Sequence, residues 1–278
     1  RMEDHSLEDI KKEQLFNINF DIIVGKSSSF ITYDRRYFQG NDDAFRVNII
    51  PMGITANKRS VHFPFEDDQL LKPPQDDMQV VFEKYTKYED RENIIFIPAS
   101  IGTDKNQLEF IELVDPDLVE GYRVVFAGPV RSRDYLGRMA TALDKKSIKW
   151  ELLGHISKRE VAEVMKRSKV VALTTDPRPG QPYDPSPRVI HESVRAGTPF
   201  FISDLVLCPS MFRDLGFVYC HGGRSSFNIT LKTMLESDLA SVSNQLFSMG
   251  EEKLTMDFAC QKTHDDIFLE YKKFKEVE

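Results

Sequence analysis

Ile94-Ile95-Phe96-Ile97-Pro98-Ala99-Ser100-Ile101-Gly102-Thr103-Asp104-Lys105-Asn106 runs from an unbroken apolar stretch, through small residues, into a second segment that ends at Leu113. The stretch Ile94–Ile97 reads as a buried strand and 106–113 as a helix. The same unit recurs toward the C-terminus: Tyr122–Ala127 reads as a strand and Arg133–Leu143 as a helix. Lys149–Leu153 then reads as a strand, and Lys158–Lys169 as a helix whose Val161, Val164 and Met165 fall at i, i+3 and i+4. Val170–Leu173 is the next buried strand. Arg188–Ala196 is a helix stopped by Gly197, with Pro199 two residues on. Phe200–Ser203 and Gly216–Cys220 read as further strands, and the last forty residues look helical, with Phe258, Ile267, Phe268, Tyr271 and Phe274 as an apolar stripe. Strands alternating with helices imply a parallel sheet joined by crossover helices, covered on both faces.

Working toward the N-terminus the pattern weakens. Residues 57–78 are rich in proline and acid and read as a long loop. Arg46–Ile50, ending at Pro51-Met52-Gly53, and residues 20–25 read as short strands, after a charged, moderately helical start. The expected division is 1–53 as a reduced or partial N-terminal segment, 54–80 as a linker loop, and 81–278 as the main α/β domain, with its C-terminal helix returning toward the N-terminal part.

A net charge of −7 disfavours binding to nucleic acid or an anionic membrane, because a basic patch would work against the global field. No apolar run approaches the ~20 residues of a membrane helix, and the acidic, polar N-terminus does not resemble a signal peptide. A cytoplasmic protein is expected. Cys208, Cys220 and Cys260 are widely spaced and odd in number, so they read as reduced, mostly buried thiols rather than a disulfide framework or a metal pair.

Two segments carry chemistry. In the first, the small-residue turn with Gly102 opens a helix whose free backbone N–H groups, with Lys105 beside them, suit a diphosphate; the alternative is that Asp104 caps the helix and Lys105 is solvated. The second is Asp184-Pro-Ser186-Pro-Arg188-Val189-Ile-His-Glu192-Ser-Val-Arg-Ala-Gly197. Here Arg188 falls in the first helical turn and Glu192 one turn on along the same face. The cation and the helix N-terminus would neutralise a diphosphate, and the carboxylate would accept from ribose hydroxyls. The alternative is an i, i+4 surface pair.

These residues carry a family resemblance. The stretch 93–113, with Asp104-Lys105-Asn106, resembles the phosphate-binding signature of two-lobed (GT-B) glycosyltransferases. The segment 184–199 is similar to their E-x7-E region, Val47–Gly53 to their interlobe hinge, and Leu153-Gly154-His155-Ile156 to the segment bordering the base. The fold implied is a Rossmann-like parallel sheet with helices on both faces, the C-terminal lobe of such an enzyme, plus a short or reduced N-terminal part. Within the superfamily the sequence resembles both the retaining family 4 and the exostosin-like branch, whose F-x-G-x-x-R is similar to Phe126-Ala-Gly128-Pro-Val-Arg131. Asp184 stands where family 4 has its first glutamate, which leaves the stereochemical outcome open. The exostosin-like branch implies a UDP-linked donor, a pentose such as xylose among them.

By resemblance, Gly102, Lys105, Ser186, Arg188 and Val189 would hold the diphosphate, Glu192 the ribose, Asp184 the donor sugar, and Gly154, His155 and Ile156 the uracil. Asp184 and Arg188 would be the catalytic pair. No tightly bound cofactor and no metal are implied: cations and amides stabilise the departing nucleotide diphosphate. The histidines lack metal-ligand spacing, and Asp115-Pro116-Asp117, though it has D-x-D form, reads as turn chemistry. His221-Gly222-Gly223-Arg224 reads either as a surface turn or as part of the donor pocket. The expected partners are a nucleotide-sugar donor and a glycan or glycoprotein acceptor. Because only some 50 residues precede the hinge-like Gly53, where an acceptor lobe of domain size is the norm, a partner polypeptide is also in view. Three functions fit: a glycosyltransferase, a non-catalytic nucleotide-sugar-binding subunit, or an epimerase or hydrolase on the same scaffold.

Overall fold

The computed structural model describes residue 74 and residues 76–175, 187–206, 208 and 210–255. The chain divides into two units, residues 71–259 and residues 1–70 with 260–278, and every described residue belongs to the first. The expected strands at 20–25 and Arg46–Ile50, the hinge at 47–53 and the aromatic stripe from Phe258 onward lie outside the described residues.

Six parallel strands form one sheet: β1 (Glu92–Pro98), β2 (Arg123–Ala127), β3 (Trp150–Gly154), β4 (Ser168–Leu173), β5 (Phe200–Ser203) and β6 (Phe217–Tyr219), in the order β3-β2-β1-β4-β5-β6. The helices are α1 (Asp76–Phe82), α2 (Gln107–Leu113), α3 (Arg133–Lys145), α4 (Lys158–Arg167), α5 (Arg188–Ala196), the short α6 (Ser210–Arg213), α7 (Arg224–Glu236) and α8 (Leu239–Lys253). A parallel strand buried on both faces reads as a continuous apolar run, yet its side chains still alternate. Ile94 and Phe96 of β1 enter one core with Val125, Val171, Phe200 and Ile202. Ile95 and Ile97 enter the other with Val124, Phe126, Val170 and Phe201. Helices α1, α4, α5 and α8 cover the first face, and α2, α3 and α7 the second.

Several boundaries differ from the sequence reading. Helix α1 begins inside the stretch read as loop, because Met78, Val81 and Phe82 at i, i+3 and i+4 are buried on the first face. Helix α4 ends at Arg167 rather than Lys169: the Ser168 hydroxyl bonds back to the Val164 carbonyl at 2.7 Å, and Ser168 opens β4. Helix α7, on which the sequence reading placed nothing, is held by Phe227, Leu231 and Met234 at full burial. The thiols are split, with Cys208 buried and Cys220 exposed. Helix α5 has the predicted bounds. Gly197, at φ 65°, closes it, its N–H reaching Val194 O at 3.0 Å while Thr198 N–H reaches Ser193 O at 2.8 Å.

Candidate nucleotide-sugar site at the carboxyl edge

Strand order reverses direction between β1 and β4: the chain leaves β1 outward to β2 and β3, then returns to β4 on the other side of β1. In open parallel sheets this switch point leaves a crevice outside the carboxyl ends of the strands, because the flanking connections run to opposite faces. The turn 99–106 leaves β1 there, and the segment leading to α5 leaves β4.

The turn after β1 is built from main-chain bonds. Ala99 N–H donates to Ala127 O at 2.9 Å, Ile101 N–H to Pro129 O at 2.9 Å, and Arg131 N–H to Ile101 O at 3.0 Å. The loops after β1 and β2 therefore extend the sheet by an Ile101–Val130 bridge. Gly128 permits this approach: at φ 150°, a Cβ there would stand 2.2 Å from Ala99 O. Arg131 also pairs with Asp104 at 3.1 Å, which anchors Asp104 to a neighbouring loop, and the N-cap position of α2 is Asn106. Asn106, in the left-handed region at φ 44°, begins α2. Its carbonyl accepts from the Thr174 hydroxyl at the end of β4, which links the two sides of the switch point.

The sequence-predicted residues distribute around this edge as follows. Gly102 is buried in the turn and Lys105 is half-buried within it. Arg188, exposed, and Val189, half-buried, form the first turn of α5, with half-buried Glu192 one turn along. Asp184 and Ser186 lie outside the described residues. Gly154, at φ 69°, ends β3 and its carbonyl accepts from Gly128 N–H at 2.7 Å; His155 is exposed beyond it. Ile156 packs against the first core, immediately before Ser157. Ser157 and Glu160 form a reciprocal capping box on α4, and Ile156 and Val161 occupy the positions of a hydrophobic staple. Ile156 thus has a folding role at the start of α4.

Asp115 is the cap of a 3-10 turn, its carboxylate accepting from Asp117 N–H at 3.2 Å. It precedes β2 and so stands at the amino edge of the sheet, away from the switch point. The sequence reading passed over Glu109. Its side chain is 6% exposed, in a helix α2 whose Leu108, Phe110 and Ile111 are also buried. It accepts from Asn106 Nδ2 at 3.1 Å and Gly222 N–H at 2.7 Å, and it stands 2.9 Å from His221 Nδ1. Burial raises its carboxyl above the usual range, against the downward pull of the Gly222 N–H and His221. The signal was present as Asn106-x-x-Glu109, a helix-start pattern that gives no hint of burial.

The sequence pattern of the family described as glycosyl transferases group 1 matches residues 77–235, which include the whole switch-point edge just described. The chain belongs to that family. No curated protein matches this glycosyltransferase in sequence. Among solved structures, HepE of Anabaena in complex with UDP and glucose superposes with a TM-score of 0.58 at 15% identity, covering 95% of this chain and 67% of that one. A glycosyltransferase from Rickettsia africae gives 0.60 at 13% identity, covering 95% and 67%. WaaG, a glycosyltransferase involved in lipopolysaccharide biosynthesis, gives 0.53 at 13% identity, covering 94% and 67%. These likenesses establish the GT-B fold, and the glycosyltransferase spans about two thirds of the length of each of these neighbours. Among its described residues no helix is long and apolar enough to cross a membrane.

Proposed function

We propose that this glycosyltransferase moves a sugar from a UDP-linked donor to a glycan hydroxyl, and that the donor lies across the β1–β4 switch point. The observation that carries the reading is the bond from Thr174, on β4, to the turn after β1, which fixes that turn beside the strand that leads to α5. Lys105 and Arg188 then flank the diphosphate from two sides, with Gly102, Ser186 and Val189 contributing main chain. Glu192 accepts from the ribose hydroxyls, Gly154, His155 and Ile156 border the uracil, and Asp184 meets the donor sugar. Departure of the nucleotide builds negative charge on the diphosphate. Two cations and the N-terminal amides of α5 take up that charge, so the step proceeds without a metal. The UDP found with HepE supports uridine as the base.

Calorimetric titration with UDP-, GDP- and ADP-sugars, repeated with Arg188→Ala and Glu192→Ala and with EDTA present, tests this. Binding of a UDP-sugar alone, undiminished by EDTA and lost in both variants, is the expected result. A well-folded protein that binds none of the three groups overturns the reading.

A further inference from the structure

Glu109 is out of place by the logic of its own helix. An ionised carboxylate on an apolar, core-facing side is costly unless its oxygens are saturated by donors. Here the donors come from two segments far apart in sequence: Asn106 Nδ2 on one side and Gly222 N–H on the other, where His221 Nδ1 also stands 2.9 Å from the carboxylate. This is not a capping box, because the Asn106 N–H is directed at Gly102 O and not at the carboxylate. The loop after β6 is held a second time, by Asp204 Oδ1 accepting from His221 N–H at 2.9 Å. Asn106 is likewise held twice, its side chain by Glu109 and its carbonyl by Thr174. Asparagine adopts the left-handed region more readily than other non-glycine residues; at Asn106, with φ 44°, that conformation is tied down by these contacts, and it sets the direction in which the chain passes from Lys105 into α2.

We propose that Glu109, together with His221, is a positioning residue for the donor diphosphate: the pair locks Asn106 in its left-handed conformation, and so fixes the Gly102–Lys105 turn, by tying it to the loop after β6. This rests on the donor-site reading above. Glu109 does not touch the donor. It acts through Asn106, and the loop 220–223 is the buttress.

Two variants and three readouts test the inference on the full chain. Glu109→Leu removes both hydrogen bonds to the carboxylate and its approach to His221 with an apolar side chain suited to its surroundings, and Glu109→Gln keeps one acceptor oxygen. UDP and uridine are titrated separately, because the turn meets phosphate and not the base; amide hydrogen exchange is followed at 102–107 and 219–224 without ligand. In Glu109→Leu the affinity for UDP falls about tenfold while that for uridine stays within about twofold, and exchange quickens in both segments together. Glu109→Gln recovers part of each effect. Unchanged UDP affinity, or equal losses for UDP and uridine, overturns the positioning role. Unchanged exchange at 102–107 overturns it whatever the wild type binds. A wild-type protein that binds neither UDP nor uridine, with exchange still coupled, instead removes the donor-site reading and this inference with it. If Glu109→Leu fails to fold, Glu109→Gln carries the same comparison with smaller changes.

Discussion

The hydroxyl of Thr174, at the end of β4, donates to the main-chain carbonyl of Asn106 at 2.9 Å and lies 3.3 Å from that of Lys105. Thr174 is 1% exposed, so water cannot substitute for it. Valine has the same shape and lacks the donor. Thr174→Val is therefore expected to lose about 1 kcal/mol of stability, the net worth of a buried hydrogen bond. It also frees the turn that is proposed to meet the diphosphate. Calorimetry should show weaker UDP binding with uridine binding intact; equal affinity for UDP in both proteins would detach this bond from donor binding.

Two glycines give opposite predictions. A Cβ on Gly128 would meet Ala99 O at 2.2 Å and Ser100 N at 2.9 Å, both backbone atoms in an extended sheet edge. Neither can yield without parting the loops after β1 and β2, so Gly128→Ala should cost about 2 kcal/mol or more. Gly137 lies exposed within α3 with open space where its Cβ would be, and there alanine only restricts the unfolded chain. Gly137→Ala should stabilise by about 0.5–1 kcal/mol. Urea unfolding of the two variants checks both signs.

Arg91 is a staple beneath the sheet. It is 4% exposed, and its guanidinium donates to Thr198 Oγ1 at 2.7 Å, to Ala196 O at 3.0 Å and to Thr86 O at 2.9 Å. Burial lowers it to about 10, so it remains charged at neutral pH. These three acceptors lose a donor if it is removed, two of them at the closure of α5. Arg91→Met is expected to cost about 3 kcal/mol, since each buried acceptor left unsatisfied is worth roughly 1–3. A midpoint within error of the wild type in urea unfolding would show that solvent replaces the arginine.

What could be read from the sequence follows from how locally each element is encoded. The strands β1, β2 and β5 are continuous apolar runs because both faces are covered, and helix α5 carries its own stop in Gly197 and Pro199. Helix α7 is rich in Ser, Thr and Asn, residues with weak helix propensity, and only the burial of Phe227, Leu231 and Met234 reveals it. Helix α1 is similarly hidden by the proline- and acid-rich stretch before it. At the proposed site, the positions of Lys105, Arg188 and Glu192 in the turn before α2 and the start of α5 were readable because each sits in a contiguous loop-to-helix pattern. Glu109 was not, because its burial is created by Gly222 and His221, more than a hundred positions away.

The pH dependence of stability should carry the mark of Glu109. Burial holds its carboxyl above the usual range in the folded protein, whereas in the unfolded chain it titrates near the ordinary glutamate value of about 4.3. Above the folded value the group is ionised in both states, and the charge buried on folding costs stability. As pH falls through the folded value, the native protein takes up a proton that the unfolded chain does not yet bind, and the cost is relieved. Glu109→Gln has no such titration, and comparing the two in a His221→Asn background removes the imidazole that stands 2.9 Å from the carboxylate. In that background the unfolding free energy of the protein with Glu109 relative to that with Glu109→Gln should rise as pH is lowered from about 7 toward about 5. Urea titrations across that window measure the difference directly. A difference that instead falls as pH is lowered would mean that the Asn106 and Gly222 hydrogen bonds stabilise the carboxylate by more than burial costs it, with the folded value held below the unfolded one.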